Sequence, residues 1–136
     1  MRFLLIVRPS AGALRSARLR QDQLDARMKY NGALVQAGAL LAAEDLLPGS
    51  NGIRIAYPNP GGRPVVTEGP FEEARDSISG FTLIEAGSRE EAVDWAKRMP
   101  EPHGPGASEI EIRQVREAAE LSQDPETVAM LKRLRG

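Results

Sequence analysis

The sequence predicts an α+β fold: an antiparallel sheet with two helices on one face, in the order β-α-β-hairpin-β-α-β. Three observations carry this. Four segments alternate with a period of two, at residues 2–8, 39–47, 80–86 and 109–115, as pleated strands require. Two segments, residues 21–37 and 89–99, carry apolar residues at helical spacing. Gly/Pro/Asn clusters at 48–52 and 59–62 bracket a shorter alternating pair, the mark of a hairpin.

The first strand, Arg2 to Arg8, places Phe3, Leu5 and Val7 on one face and Leu4 and Ile6 on the other, so both faces expect cover. The Arg-rich stretch 16–20 leads into the first helix. Its expected buried stripe is Leu24, Met28, Asn31 and Val35, with Leu34 at the edge and Gly38 as a left-handed cap. In the second strand, 39–47, simple alternation puts Leu40, Ala42, Glu44 and Leu46 on one face and Leu41, Ala43, Asp45 and Leu47 on the other. Ile53, Ile55 and Tyr57 alternate with Arg54 and Ala56. Asn59-Pro60-Gly61-Gly62 turns the chain back into 63–67, where Pro64 restricts the return strand to a start or an edge.

Gly69-Pro70 is a turn signal. From Gly80, Phe81, Leu83 and Glu85 face one way and Thr82, Ile84 and Ala86 the other. Ser88 and Glu91 then have capping-box spacing. Ala92, Trp95, Ala96 and Met99 make one apolar helical face, which Pro100 ends. After a Pro/Gly-rich loop at 100–106, Ile110 and Ile112 share a face of the last strand. In the tail, Asp124-Pro125 is a cap followed by proline, with Val128, Leu131 and Leu134 at helical spacing. The division expected is a domain at 1–116 and a helical extension at 117–136.

Two helices cover only one face of such a sheet, and the first strand is apolar on both. Pattern alone therefore predicts a symmetric homodimer with sheets face to face.

Composition removes several function classes. The chain has 136 residues, a net charge of −1, no Cys and 4% aromatics. It offers no thiolate nucleophile, no disulfide framework and no electrostatic reason to bind nucleic acid or an anionic membrane. No apolar run reaches spanning length, and a cytoplasmic setting is expected. With His103 as the single histidine, no two-histidine metal motif exists, and neither metal nor cofactor is expected.

Glu44 is a candidate general acid or base if its strand face is buried, since burial raises a carboxyl pKa. The alternative is a solvated strand-end charge paired with Arg8 or Arg54. Arg8 and Arg54 are candidates to orient a small anionic ligand by their donor forks. Asn31, placed in the buried stripe, ties helix to sheet or lines a pocket. His103, in the loop, titrates near neutrality unaided and is otherwise a solvated surface residue.

The run Glu68-Gly69-Pro70-Phe71, with GFTLIEA at 80–86, EEAVDWAKRMP at 90–100 and SEIEIRQV at 108–115, resembles the YCII-related family, in its DGPF subgroup. The opening MRFLLIV and the stretch KYNGALVQAGALLAAEDLLP at 29–48 extend the resemblance over about residues 1 to 116. It implies a ferredoxin-like α+β domain that dimerises into an α+β barrel. Glu68 stands where the subgroup motif has Asp and is the second candidate for proton transfer. The helical histidine associated with the wider family is absent, so the family's suggested His/Asp pair does not transfer.

Two functions follow. One is a cytoplasmic homodimeric module with a small-molecule cleft, for which the resemblance implies an accessory role beside an extracytoplasmic-function sigma factor. The other is a small enzyme in which Glu44 or Glu68 moves a proton on a small polar substrate.

Overall fold

The computed structural model describes residues 1–9, 21–47, 52–69, 78–100 and 108–135. In chain order the elements are β1 (Arg2–Arg8), α1 (Gln21–Gln36), β2 (Leu40–Asp45), β3 (Ile53–Ala56) and β4 (Val65–Glu68). They continue with β5 (Gly80–Glu85), α2 (Arg89–Arg98), β6 (Glu109–Gln114), α3 (Ala118–Leu121) and α4 (Pro125–Leu134). The expected turns at 48–51 and Pro70, and the loop at 101–106, lie outside the described residues.

The main sheet has the strand order β2-β5-β1-β6, with every neighbouring pair antiparallel. β5 and β1 are the two internal strands. The register of β1 sets Leu5 opposite Thr82 and Ile112, and Ile6 opposite Phe81 and Glu111. Phe3, Leu5 and Ile84 therefore share one face, where they are buried with Tyr30, Leu34, Ala92, Trp95 and Ala96. α1 and α2 lie on that side. Full burial of Phe3, Leu5, Leu34 and Ile84 stabilises the fold by about 1.5–3 kcal/mol each. Leu4, Ile6, Phe81 and Leu83 occupy the opposite face and are only half-buried.

α2 starts as its sequence indicates, with one difference. The Ser88 hydroxyl accepts from the Glu91 amide at 3.1 Å, but the Glu91 carboxylate turns to the Gly87 amide at 2.7 Å rather than to that of Ser88. α1 ends in a Schellman motif: Gly38 sits at φ 69°, its amide bonds Val35 O, and the Ala39 amide bonds Leu34 O at 2.8 Å.

Two expectations are corrected. The buried face of α1 is not Leu24, Met28, Asn31 and Val35. Tyr30 and Leu34 are buried, Asn31 is half-buried, and Leu24, Met28 and Val35 are exposed. Both stripes have helical spacing and the helix is almost evenly apolar around its axis, so periodicity does not choose between them. Tyr30 decides it. Its hydroxyl donates to the Trp95 carbonyl at 2.7 Å, and its ring meets the Trp95 ring edge-on at 6.3 Å.

The second correction concerns β2. Leu40 opposes Ile84, but Ala42 opposes Leu83, so a β-bulge inserts one residue between them. After it the alternation is inverted. Ala43 and Asp45 join Leu40 on the helix side, opposite Thr82 and Gly80, while Ala42 and Glu44 move to the open side, opposite Leu83 and Phe81. The Glu44 side chain is exposed, not enclosed among apolar neighbours.

β3 and β4 form a separate two-stranded sheet, closed by the Gly69 amide on Gly52 O at 2.9 Å. All eight of its strand residues are exposed. The tail folds back to the start of β1. Arg2 Nε and Nη2 each donate to the Glu117 carboxylate at 3.0 Å, and Ala118 is buried just beyond. Asp124 caps α4 as expected, accepting from the Thr127 amide at 3.0 Å; Leu134, however, is exposed.

Candidate functional site

A cleft of about 150 Å³ opens on the helix side of the sheet, where α1 crosses the ends of β2 and β5. α1 contributes Gln23, Arg27, Tyr30 and Asn31, successive turns of the face that packs inward. Val7, Gly80 and Thr82 supply the sheet side, and Met99 and Pro100 close the end below α2. The bulge in β2 brings Asp45 to this side, where its carboxylate forms an ion pair with Arg27.

Gly80 makes that placement possible. A Cβ there would lie 2.8 Å from Glu44 O, closer than real Cβ atoms come, and 3.1 Å from Asp45 Oδ1, tighter than most. Only the missing side chain lets β2 approach β5 this closely with the carboxylate held over the strand.

The charges are unequally screened. The Arg27 side chain is 23% exposed and that of Asp45 67%, so the carboxylate reaches into solvent while the guanidinium stays nearer the cleft. Burial pushes the Tyr30 hydroxyl up to about 12, so near neutral pH it is a proton donor already committed to Trp95 O, not a base. Arg98 stacks over Trp95 at 4.2 Å and partly opposes that shift. Among the described residues no group of three His, Asp or Glu side chains is placed to hold a metal ion. The lining thus combines one guanidinium residue, Arg27, with two amide residues, Gln23 and Asn31.

The residues singled out from sequence separate. Asn31 and Glu44 both belong to the cleft lining, but after the bulge Glu44 shares the open face with Phe81 and its side chain is exposed there. Arg8 lies on the open face with Glu111 at 3.6 Å. Arg54 and Glu68 sit on the β3–β4 hairpin, opposite Thr67 and Ile53, away from the cleft lining. His103 lies outside the described residues. Gln23, Arg27, Tyr30 and Asp45 were not singled out. For the α1 residues a signal existed: Gln23, Arg27, Tyr30 and Leu34 follow at i, i+4, i+7 and i+11. For Asp45 there was none, because nothing in LLAAED marks a bulge.

None of the described helices is long and apolar enough to cross a membrane. An uncharacterised protein of Rhizobium meliloti (strain 1021) is 29% identical over 96 residues, covering 71% of this chain and 72% of that protein. The family model described as the YCII-related domain matches residues 1–119, which takes in β1 to β6, every cleft residue and the start of α3. The chain belongs to the YCII-related domain family.

Proposed function

We propose that this chain is a small-molecule-binding module that works as a cytoplasmic homodimer, with a small anionic ligand held in the α1–β2–β5 cleft. One observation carries the ligand class: Arg27, with its fork of donors, lines the cleft together with Gln23 and Asn31. Asp45 occupies that guanidinium in the free protein and is exposed enough to swing away when an anion arrives.

The strand order β2-β5-β1-β6 supports a ferredoxin-like arrangement, and the half-buried Leu4, Ile6, Phe81 and Leu83 support pairing of open sheet faces into a barrel. The run at 68–71 supports the DGPF subgroup. In this reading the ligand-bound dimer is an accessory to an extracytoplasmic-function sigma factor. Co-purification of such a factor in ligand-dependent amount checks that part.

Thermal melts against a panel of small carboxylates and inorganic phosphate test the cleft. The proposal expects at least one to raise the melting temperature of the parent and not of Arg27→Gln. No shift with any anion, or equal shifts in both proteins, contradicts it.

The enzyme alternative needs a carboxylate at the cleft. Of the two sequence candidates only Glu44 belongs to the cleft lining, with its side chain on the open face of the sheet, and Glu44→Gln abolishing turnover of a bound anion would support that reading.

A further inference from the structure

The β3–β4 hairpin has two faces of different character. Its register places Ile53, Ile55, Val66 and, at the open end opposite Ile53, the exposed Glu68 on one side, with Tyr57 following by alternation, and Arg54, Ala56, Val65 and Thr67 on the other. On the first side Ile53, Ile55, Tyr57 and Val66 are 57–72% exposed. A two-stranded ribbon with both faces in water is marginal on its own. A stable one needs its apolar face covered.

We infer that this hairpin is a dimerisation arm, whose Ile53/Ile55/Tyr57/Val66 face packs on a second copy of the chain. The inference rests on the homodimer proposed above and adds a separate contact surface to it. Area supports a second copy as the occupant. Four side chains exposed to this degree present on the order of 500 Å², a patch as large as the largest that monomers usually leave bare. Under two-fold symmetry each copy gives one arm and receives one. Two arms with the surfaces they cover come to roughly 2,000 Å², in the range of a stable interface. A contact of this kind closes on itself and leaves neither arm uncovered.

Sedimentation of the full chain and two variants tests this. Ile55→Thr/Tyr57→Thr strips the proposed contact face while keeping strand-forming or neutral residues, and Val65→Thr alters the opposite face, where Val65 is 50% exposed. The expected result is a dimeric parent, a dimer dissociation constant raised at least tenfold in the double variant, and a change of less than twofold in Val65→Thr. A dimeric parent whose constant moves equally, or not at all, in both variants overturns the arm and leaves the homodimer standing. A monomeric parent overturns both.

Discussion

The Tyr30 hydroxyl donates to the Trp95 carbonyl at 2.7 Å, joining the two helices that cover the sheet. This bond orients α1. It turns Leu24, Met28 and Val35 outward and Gln23, Arg27 and Asn31 toward the cleft. The site depends on it.

Tyr30→Phe removes the donor and leaves a buried carbonyl unpaired. The expected loss is about 1–3 kcal/mol in chemical denaturation, with α1 retained. The parent should also lose stability in alkali. The folded hydroxyl titrates near 12 against an ordinary 10.0, so its contribution is whole below pH 10 and declines as pH rises toward about 12. Tyr30→Phe should lack that part of the alkaline decline in melts taken across the range.

Gly80→Ala should be more damaging than its single methyl suggests. The new Cβ meets Glu44 O and Asp45 Oδ1, so β2 must shift or Asp45 must leave Arg27. A loss of about 1–3 kcal/mol is expected, the usual range for overpacking. Anion-induced stabilisation should change with it. Urea titration with and without the ligand measures both.

Acid should release the C-terminal segment before the core. The Arg2 guanidinium holds the Glu117 carboxyl below its ordinary 4.5, so the contact is intact above that value and lost as pH falls through the lowered one. Protection factors at 118–134, corrected for the intrinsic pH dependence of amide exchange, should fall as pH drops below about 4.5 while those of β1 and β5 hold. Glu117→Gln should show fast exchange there already at neutral pH.

Ser88→Ala should destabilise the protein by about 1 kcal/mol, the usual worth of an N-cap hydroxyl, because the Glu91 amide loses its acceptor. The Glu91 carboxylate on Gly87 remains and limits the loss. A thermal melt of the variant checks the size.

Much of this fold was legible because its signals were local. β1 and β5 alternate without interruption, α2 is bounded by Ser88 and Pro100, and Gly38 and Asp124 mark ends that only a few residues suit. The face of α1 was not legible, since Leu24/Met28/Val35 and Tyr30/Leu34 satisfy the same spacing and a bond to a residue 65 positions away selects between them. The side of β2 was hidden for a different reason. A one-residue bulge with no Gly or Pro inverts every later side chain, exchanging Glu44 for Asp45 at the cleft. Asn31 was found because a polar residue among apolar ones draws notice. Arg27 looked like an ordinary exposed helix cation.

Anion affinity in Asp45→Asn and Arg27→Gln, measured side by side with the parent by calorimetry, bears most directly on the cleft. If the proposed anion takes Arg27 from Asp45, Asp45→Asn should bind the anion that stabilises the parent at least several-fold tighter, and Arg27→Gln should lose it. Unchanged affinity in Arg27→Gln would contradict the account, and so would weaker binding in Asp45→Asn.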